Sequence, residues 1–269
     1  MNQVTGFVEV PDARIYFERS GDGPSVLFLH AGVADLRMWD EQVQALQSRF
    51  DCISFDRRGF GRSENIAPSY SPMDDICAVM DELGVPSASV VGLSMGGAIA
   101  IELALDHAQR VSSLALIAAG VGGWSEWPNE DEMSELGRID EAFEANDLDR
   151  AAALEVAYWL DGPGRSGRIQ GEVRDKMFAM CRGAYGRDEP RADAVSMDPP
   201  AVTRLPQIAV PTLAIAGTFD ESTILSVANE FEKQIPTCRK IIYEGVAHMV
   251  NLEQPQRFNA DLLAFLSDI

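Results

Sequence analysis

The stretch VVGLSMGGAIAIELAL, residues 90–105, constrains the fold of this chain more than any other. It opens as a β-branched run, continuing ASVV from residue 88, and closes as an apolar segment of small residues suited to a buried helix. Between the two, Gly92, Leu93, Ser94, Met95 and Gly96 make a Gly-x-Ser-x-Gly pattern, with Gly97 following. A core strand would not hold glycines there, and an ordinary loop would not be this apolar. A serine on a sharp strand-to-helix turn resolves the conflict. Its backbone is strained, and the residues two before and two after it approach so closely that they must be small. Such a turn exposes the hydroxyl and directs a helix N-terminus at negative charge developing beside it.

The same rhythm runs through most of the chain. SVLFLH, DCISFD, ASVVGL, SLALIA, PTLAIAG and RKIIYEG are short apolar runs that read as strands buried on both faces. Between them lie helical stripes. Met73, Ile76, Met80 and Leu83 recur between Ser71-Pro72 and Gly84. Ile224, Ala228, Phe231 and Ile235 follow Ser222, and Phe258, Leu262, Phe265, Leu266 and Ile269 follow Pro255. FVEVPDARIYFER, residues 7–19, predicts two further strands joined by a Pro-Asp turn. The alternation predicts an α/β fold, with a mostly parallel central sheet and helices on both faces. Residues 121–205 lose the strand pattern, and 126–149 carry ten acids against one base, Arg138. They are expected to form a mostly helical insertion, with 1–120 and 206–269 as the core domain.

Bulk properties narrow the partners. At 269 residues and 46% hydrophobic content, the chain can bury one large core plus a modest insertion. A net charge of −20 without a Lys/Arg cluster argues against nucleic acid and anionic membranes. Cys52, Cys77, Cys181 and Cys238 are scattered without metal-ligand or redox spacing, so no metal and no cofactor is expected. The first residues lack a basic start and an apolar run, and no stretch reaches the length of a membrane span. The expectation is a reduced, soluble, cytoplasmic protein whose partner is a small molecule.

Ser94 needs a base, and histidine is the usual one near neutral pH. His107 lies at the far end of the helix that Ser94 starts, roughly 20 Å away at ~1.5 Å per residue. His30 ends a strand and suits loop shaping. His248, in EGVAHMVNLEQP, lies between the last strand and a docking helix that can lock its position. The base in turn needs an acid to hold its tautomer. Asp220, in PTLAIAGTFDEST, stands at a strand end, with Glu221 as the fallback. The order Ser94, Asp220, His248 suits a nucleophile on a strand-to-helix turn. Acyl chemistry also needs two N–H donors for an oxyanion. Met95 N–H is one; Gly32, or Val33 after it, is the candidate for the other. Trp124, Trp127 and Trp159, with Val33, are the candidate substrate-binding residues, and Trp39, Met95 and Met133 are further candidates for an apolar pocket.

LHAG, DRRGFGRS, GLSMGG, GTFD and GVAHMVNLEQP, in this order, resemble the α/β-hydrolase superfamily across essentially the whole chain. DLRMWD, residues 35–40, is similar to the esterase and enol-lactonase branch. Ala31 departs from the glycine that commonly follows the histidine, and serine at the elbow disfavours the aspartate-nucleophile haloalkane dehalogenases. The resemblance implies a serine hydrolase of carboxylic esters or lactones. Ser94 would be the nucleophile, Asp220 the acid, His248 the base, Gly32 and Met95 the oxyanion donors, and 121–205 a cap over the site. Perhydrolysis, carbon–carbon bond hydrolysis and a slow-turnover ligand sensor are the alternatives on the same scaffold. Asp56, with Arg57, Arg58, Gly59 and Gly61, is read as a structural turn.

Overall fold

The computed structural model describes residues 3–64, 69–185 and 193–269. The chain opens with a hairpin of β1 (Val4–Val10) and β2 (Ala13–Ser20), turned at Asp12 with φ of 58°. Then come β3 (Ser25–Leu29), α1 (Asp40–Leu46), β4 (Asp51–Phe55), the two-residue β5 (Ser69–Tyr70) and α2 (Pro72–Glu82). The next pair is β6 (Ala88–Leu93) and α3 (Met95–Asp106), followed by β7 (Val111–Ile117). Three helices intervene, α4 (Glu130–Glu144), α5 (Leu148–Val156) and α6 (Glu172–Tyr185), and then the two-residue β8 (Asp193–Ala194). The chain closes with β9 (Thr212–Gly217), α7 (Ser222–Gln234), β10 (Cys238–Tyr243), the single turn α8 (Val250–Glu253) and α9 (Pro255–Ser267).

Among the described residues the main sheet has eight strands in the order β1-β2-β4-β3-β6-β7-β9-β10. From β4 to β10 every neighbour pair is parallel, and β2 alone runs the other way, pairing antiparallel with both β1 and β4. Each apolar run expected as a strand is one, within a residue or two of its ends. Continuous apolar sequence is explained by burial on both faces. In β3, Leu27 and Leu29 enter a cluster with Ile76, Val79, Ile99 and Phe231 of α2, α3 and α7. Val26 and Phe28 enter the opposite cluster with Leu46, Phe258 and Leu262 of α1 and α9. Each such fully buried side chain contributes about 1.5–3 kcal/mol.

The strand order fixes where a site can form. The chain lays β4 on one side of β3, then crosses over to lay β6 on the other. The loops after β3 and β6 therefore diverge, leaving a crevice at the carboxyl ends of these strands.

Helices α4 to α6 follow β7 and precede β9, and residues 186–192 of the expected insertion lie outside the described residues. Helix α4 starts with a capping box: Asn129 accepts from Glu132 N–H, and Glu132 accepts from Asn129 N–H. Ala152, Val156 and Leu160, with Met177 and Met180 of α6, share a cluster with Val91, Leu93 and Ile117 of the sheet. Further along, Ala201 and Leu205 already belong to the opposite core cluster. No helix among the described residues is long and apolar enough to cross a membrane.

Candidate active site

Strand β6 ends at Leu93, helix α3 begins at Met95, and Ser94 joins them with φ of 57° and ψ of −119°. That conformation is sparsely populated for a residue with a Cβ. The surrounding contacts hold it there. Ser94 N–H donates to Ile117 O at 2.9 Å, while its carbonyl accepts from Gly97 and Ala98 N–H at 2.9 and 3.0 Å. The flanking glycines are a steric necessity. A Cβ on Gly96 would lie 2.2 Å from Leu29 O, and one on Gly92 would lie 2.4 Å from Gly96 O. Ser94 is half-buried at the crevice. Met95 opens α3, so its N–H has no acceptor within the helix.

Two strand ends further along the same edge, the loops after β9 and β10 pack backbone to backbone. Phe219 N–H donates to Val246 O at 2.9 Å, and a Cβ on Gly217 would lie 2.1 Å from that oxygen. This approach brings Asp220 and His248 together. His248 Nδ1 lies 2.9 and 3.0 Å from the two Asp220 carboxylate oxygens, with the side chains 3% and 1% exposed. A carboxylate can only accept, so Nδ1 carries the proton and donates, leaving Nε2 for other chemistry. Asp220 Oδ1 also accepts Glu221 N–H at 2.7 Å. The fallback acid, Glu221, is engaged elsewhere: it accepts from Tyr158 Oη at 3.0 Å and from Thr223 Oγ1.

The other histidines have different work. Arg57 N–H donates to His30 Nε2 at 2.9 Å, so His30 Nδ1 holds the proton and donates to Ala31 O at 2.7 Å. Both ring nitrogens are thus spent on tying the β3 loop to the β4 loop. Burial first, then the neighbouring Arg57 charge, holds His30 well below the ordinary histidine range. His107 sits at the C-terminal end of α3, as its spacing requires. Asp56 is a loop organiser, accepting Leu36 N–H at 2.8 Å and Arg62 N–H at 2.7 Å. Burial pushes its carboxyl up to about 6.

Gly32 lies in the β3 loop under the Met95 side chain, whose Cε would be 2.9 Å from a Cβ at that position. Met95 Sδ also accepts from Arg57 Nη1 at 3.1 Å, and Arg57 Nη2 donates to Ala31 O at 3.2 Å. Val33 packs at the edge of the α1/α9 cluster. The tryptophans part company. Trp159 lies against the imidazole of His248, with ring centroids 4.5 Å apart and planes tilted by 47°. Trp124 packs on the core cluster that holds Val121 and Ala201, and Trp127 is 79% exposed. Met133 is exposed, while Trp39 is fully buried against Phe28. Tyr158 and Glu155, which hold this region together, carried no recognisable signal in the sequence. Among the described residues no three His, Cys, Asp or Glu side chains gather where they could hold a metal ion.

A hydroxyl on a strained turn, a helix N-terminus and a buried carboxylate–imidazole pair along one sheet edge suit nucleophilic acyl chemistry. The 3-oxoadipate enol-lactonase 1 of Acinetobacter baylyi is 26% identical over 250 residues, covering 92% of this chain and 90% of that one. A pimeloyl-[acyl-carrier protein] methyl ester esterase of Nitrosomonas europaea is 27% identical over 255 residues, covering 91% and 97%. The crystal structure of a hydrolase from Pseudomonas aeruginosa superimposes with a TM-score of 0.79 at 27% identity, covering 97% and 98%. The sequence pattern of the alpha/beta hydrolase fold matches residues 24–163, and the chain belongs to that family.

Proposed function

We propose that the protein is a serine hydrolase that cleaves a carboxylic ester or lactone through an acyl-enzyme on Ser94, without a metal. The observation that carries this reading is the Ser94 turn, with φ of 57°, on the same sheet edge as the buried Asp220–His248 pair. His248 Nε2 takes the Ser94 proton as the hydroxyl attacks the substrate carbonyl. Asp220 keeps the proton on Nδ1 and offsets the charge that the imidazole acquires. Met95 N–H and Gly32 N–H donate to the tetrahedral oxyanion, assisted by the N-terminus of α3. His248 then gives its proton to the leaving alkoxide and activates the water that releases the acid. In a lactone the alkoxide and the acid leave as one molecule. Residues 121–205 act as the cap over this site, with Trp159 reaching it. The ester and the lactone named for the two relatives above support this substrate class.

The test is a set of p-nitrophenyl esters of increasing acyl length, with simple lactones, offered to the wild type and to Ser94→Ala. The wild type turns over at least one ester or lactone, and Ser94→Ala loses at least about a thousandfold in kcat. Equal turnover by the variant refutes the mechanism.

A further inference from the structure

Helix α5 does not simply stop at Val156. Ala157–Asp161 continue as a π-helical turn, the wider winding that often marks functional positions. This turn is fastened at both ends of the Asp220–His248 pair. Tyr158 Oη donates to Glu221, the neighbour of Asp220 in the chain. Trp159 lies on the imidazole of His248 at 4.5 Å between centroids. Gly162, which ends the turn with φ of 95°, is pressed between the two loops. A Cβ there would lie 2.4 Å from Phe219 O and 3.3 Å from Ala247 Cβ, the residues that precede Asp220 and His248. Arg168 completes the fastening. It donates to Leu160 O and Asp161 O and pairs with Glu253, which accepts Ala247 N–H at 3.0 Å.

The indole itself is held from behind. Trp159 Nε1 donates to the Glu155 carboxylate, which also accepts from Tyr185 Oη. An anion at the N–H pushes electron density into the ring, and the face of an electron-rich ring attracts a cation. His248 becomes such a cation when it takes the Ser94 proton. We propose that Trp159, aimed by the π-turn and held by Glu155, is a positioning residue of the base: it fixes the His248 imidazole and favours its charged form during acyl transfer. Its function is therefore exerted on the histidine rather than on the acyl group. This rests on the serine-hydrolase reading above.

The two roles separate in steady-state kinetics on esters from acetate to octanoate. A wall of the acyl pocket changes KM and the preferred chain length. A partner of the base changes kcat by one factor for every chain length, because His248 does the same work for all. Trp159→Leu is expected to lower kcat about tenfold across the series, with KM within about twofold. Trp159→Phe keeps an aromatic face and should recover most of that loss. Glu155→Gln removes the anion behind the indole and should lower kcat about threefold, again uniformly. A Trp159→Leu loss confined to KM or to certain chain lengths overturns the proposal, as does a Trp159→Phe variant as impaired as Trp159→Leu. Should Trp159→Leu fail to fold by circular dichroism, Trp159→Phe and Glu155→Gln carry the test, and full kcat in Glu155→Gln then overturns it. Ser94→Ala, measured alongside, separates the two readings. Activity retained by Ser94→Ala removes the serine mechanism; an inactive Ser94→Ala beside an unimpaired Trp159→Leu removes only the role given to Trp159.

Discussion

Ser94 is held where a side chain is unwelcome, and that strain is measurable as stability. With φ of 57° and ψ of −119°, the residue occupies a region that costs on the order of 1–3 kcal/mol for anything but glycine. Replacing Ser94 by Ala removes the hydroxyl and keeps the Cβ, hence the strain. Replacing it by Gly removes both. Glycine adds a cost of roughly 0.5–1 kcal/mol through its freer unfolded chain. Taking the middle of both ranges, Ser94→Gly should therefore be more stable than Ser94→Ala by about 1 kcal/mol. For a chain of this size that is a rise of roughly 2–4 °C in Tm. The assay is urea unfolding of both variants in one buffer, where a shift in midpoint at constant slope reports stability alone. Both variants should be inactive, since both lack the hydroxyl. A Ser94→Gly variant no more stable than Ser94→Ala would refute the reasoning, because the elbow would then hold no strain for glycine to relieve.

Other consequences follow from neighbouring contacts. Gly96→Ala places a Cβ 2.2 Å from Leu29 O, a rigid backbone atom, so α3 must shift off β3; denaturant unfolding should show a loss of about 3 kcal/mol or more. Asp56, with its carboxyl pushed from the ordinary 3.8 to about 6, keeps a proton in the folded state that the unfolded chain releases. Its contribution is thus fully present below about pH 4 and lost as pH rises through 6, by about 3 kcal/mol in all. The stability deficit of Asp56→Asn relative to the wild type should accordingly shrink between pH 4 and 6, and a growing deficit would contradict the burial argument. His30 has the opposite sign: its depressed value makes its contribution complete above about pH 6.5 and lost as pH falls. His30→Gln should therefore flatten the acid limb of the stability profile. Arg168→Gln leaves the buried Glu253 carboxylate without its partner and should cost about 1–3 kcal/mol in urea unfolding. The double variant with Glu253→Gln should cost less than the sum of the two single changes.

Much of the site was legible because close backbone approach leaves few choices of residue. Gly92 and Gly96 flank Ser94 because no Cβ fits against Gly96 O or Leu29 O, and that steric demand is written in the sequence. The strands were legible because burial on both faces makes each an unbroken apolar run, as in Ala88–Leu93. Asp220 was preferred over Glu221 for its place at the strand end, and it is Asp220 that bonds His248. What stayed hidden depends on contacts between distant segments. A π-turn differs from an α-helix by one residue in its hydrogen-bond spacing, too little to disturb the apolar pattern of AAALEVAYWL. Nothing local distinguishes Trp159, which meets His248, from Trp127, which stands 79% exposed; the difference arises from how α5 docks on the β9 and β10 loops. The pairing of β5 with β8 joins two-residue segments more than a hundred positions apart, too short to leave a period-2 signal.

The central claim is that Ser94 forms the covalent bond to the acyl group. Its most direct test is labelling with a fluorophosphonate, which reacts with an activated serine, followed by mass spectrometry of the peptides. The expected result is one adduct, on Ser94, formed by the wild type, absent from Ser94→Ala and strongly slowed in His248→Ala. A wild type that hydrolyses esters while Ser94 remains unlabelled, or that carries the adduct on another residue, contradicts it.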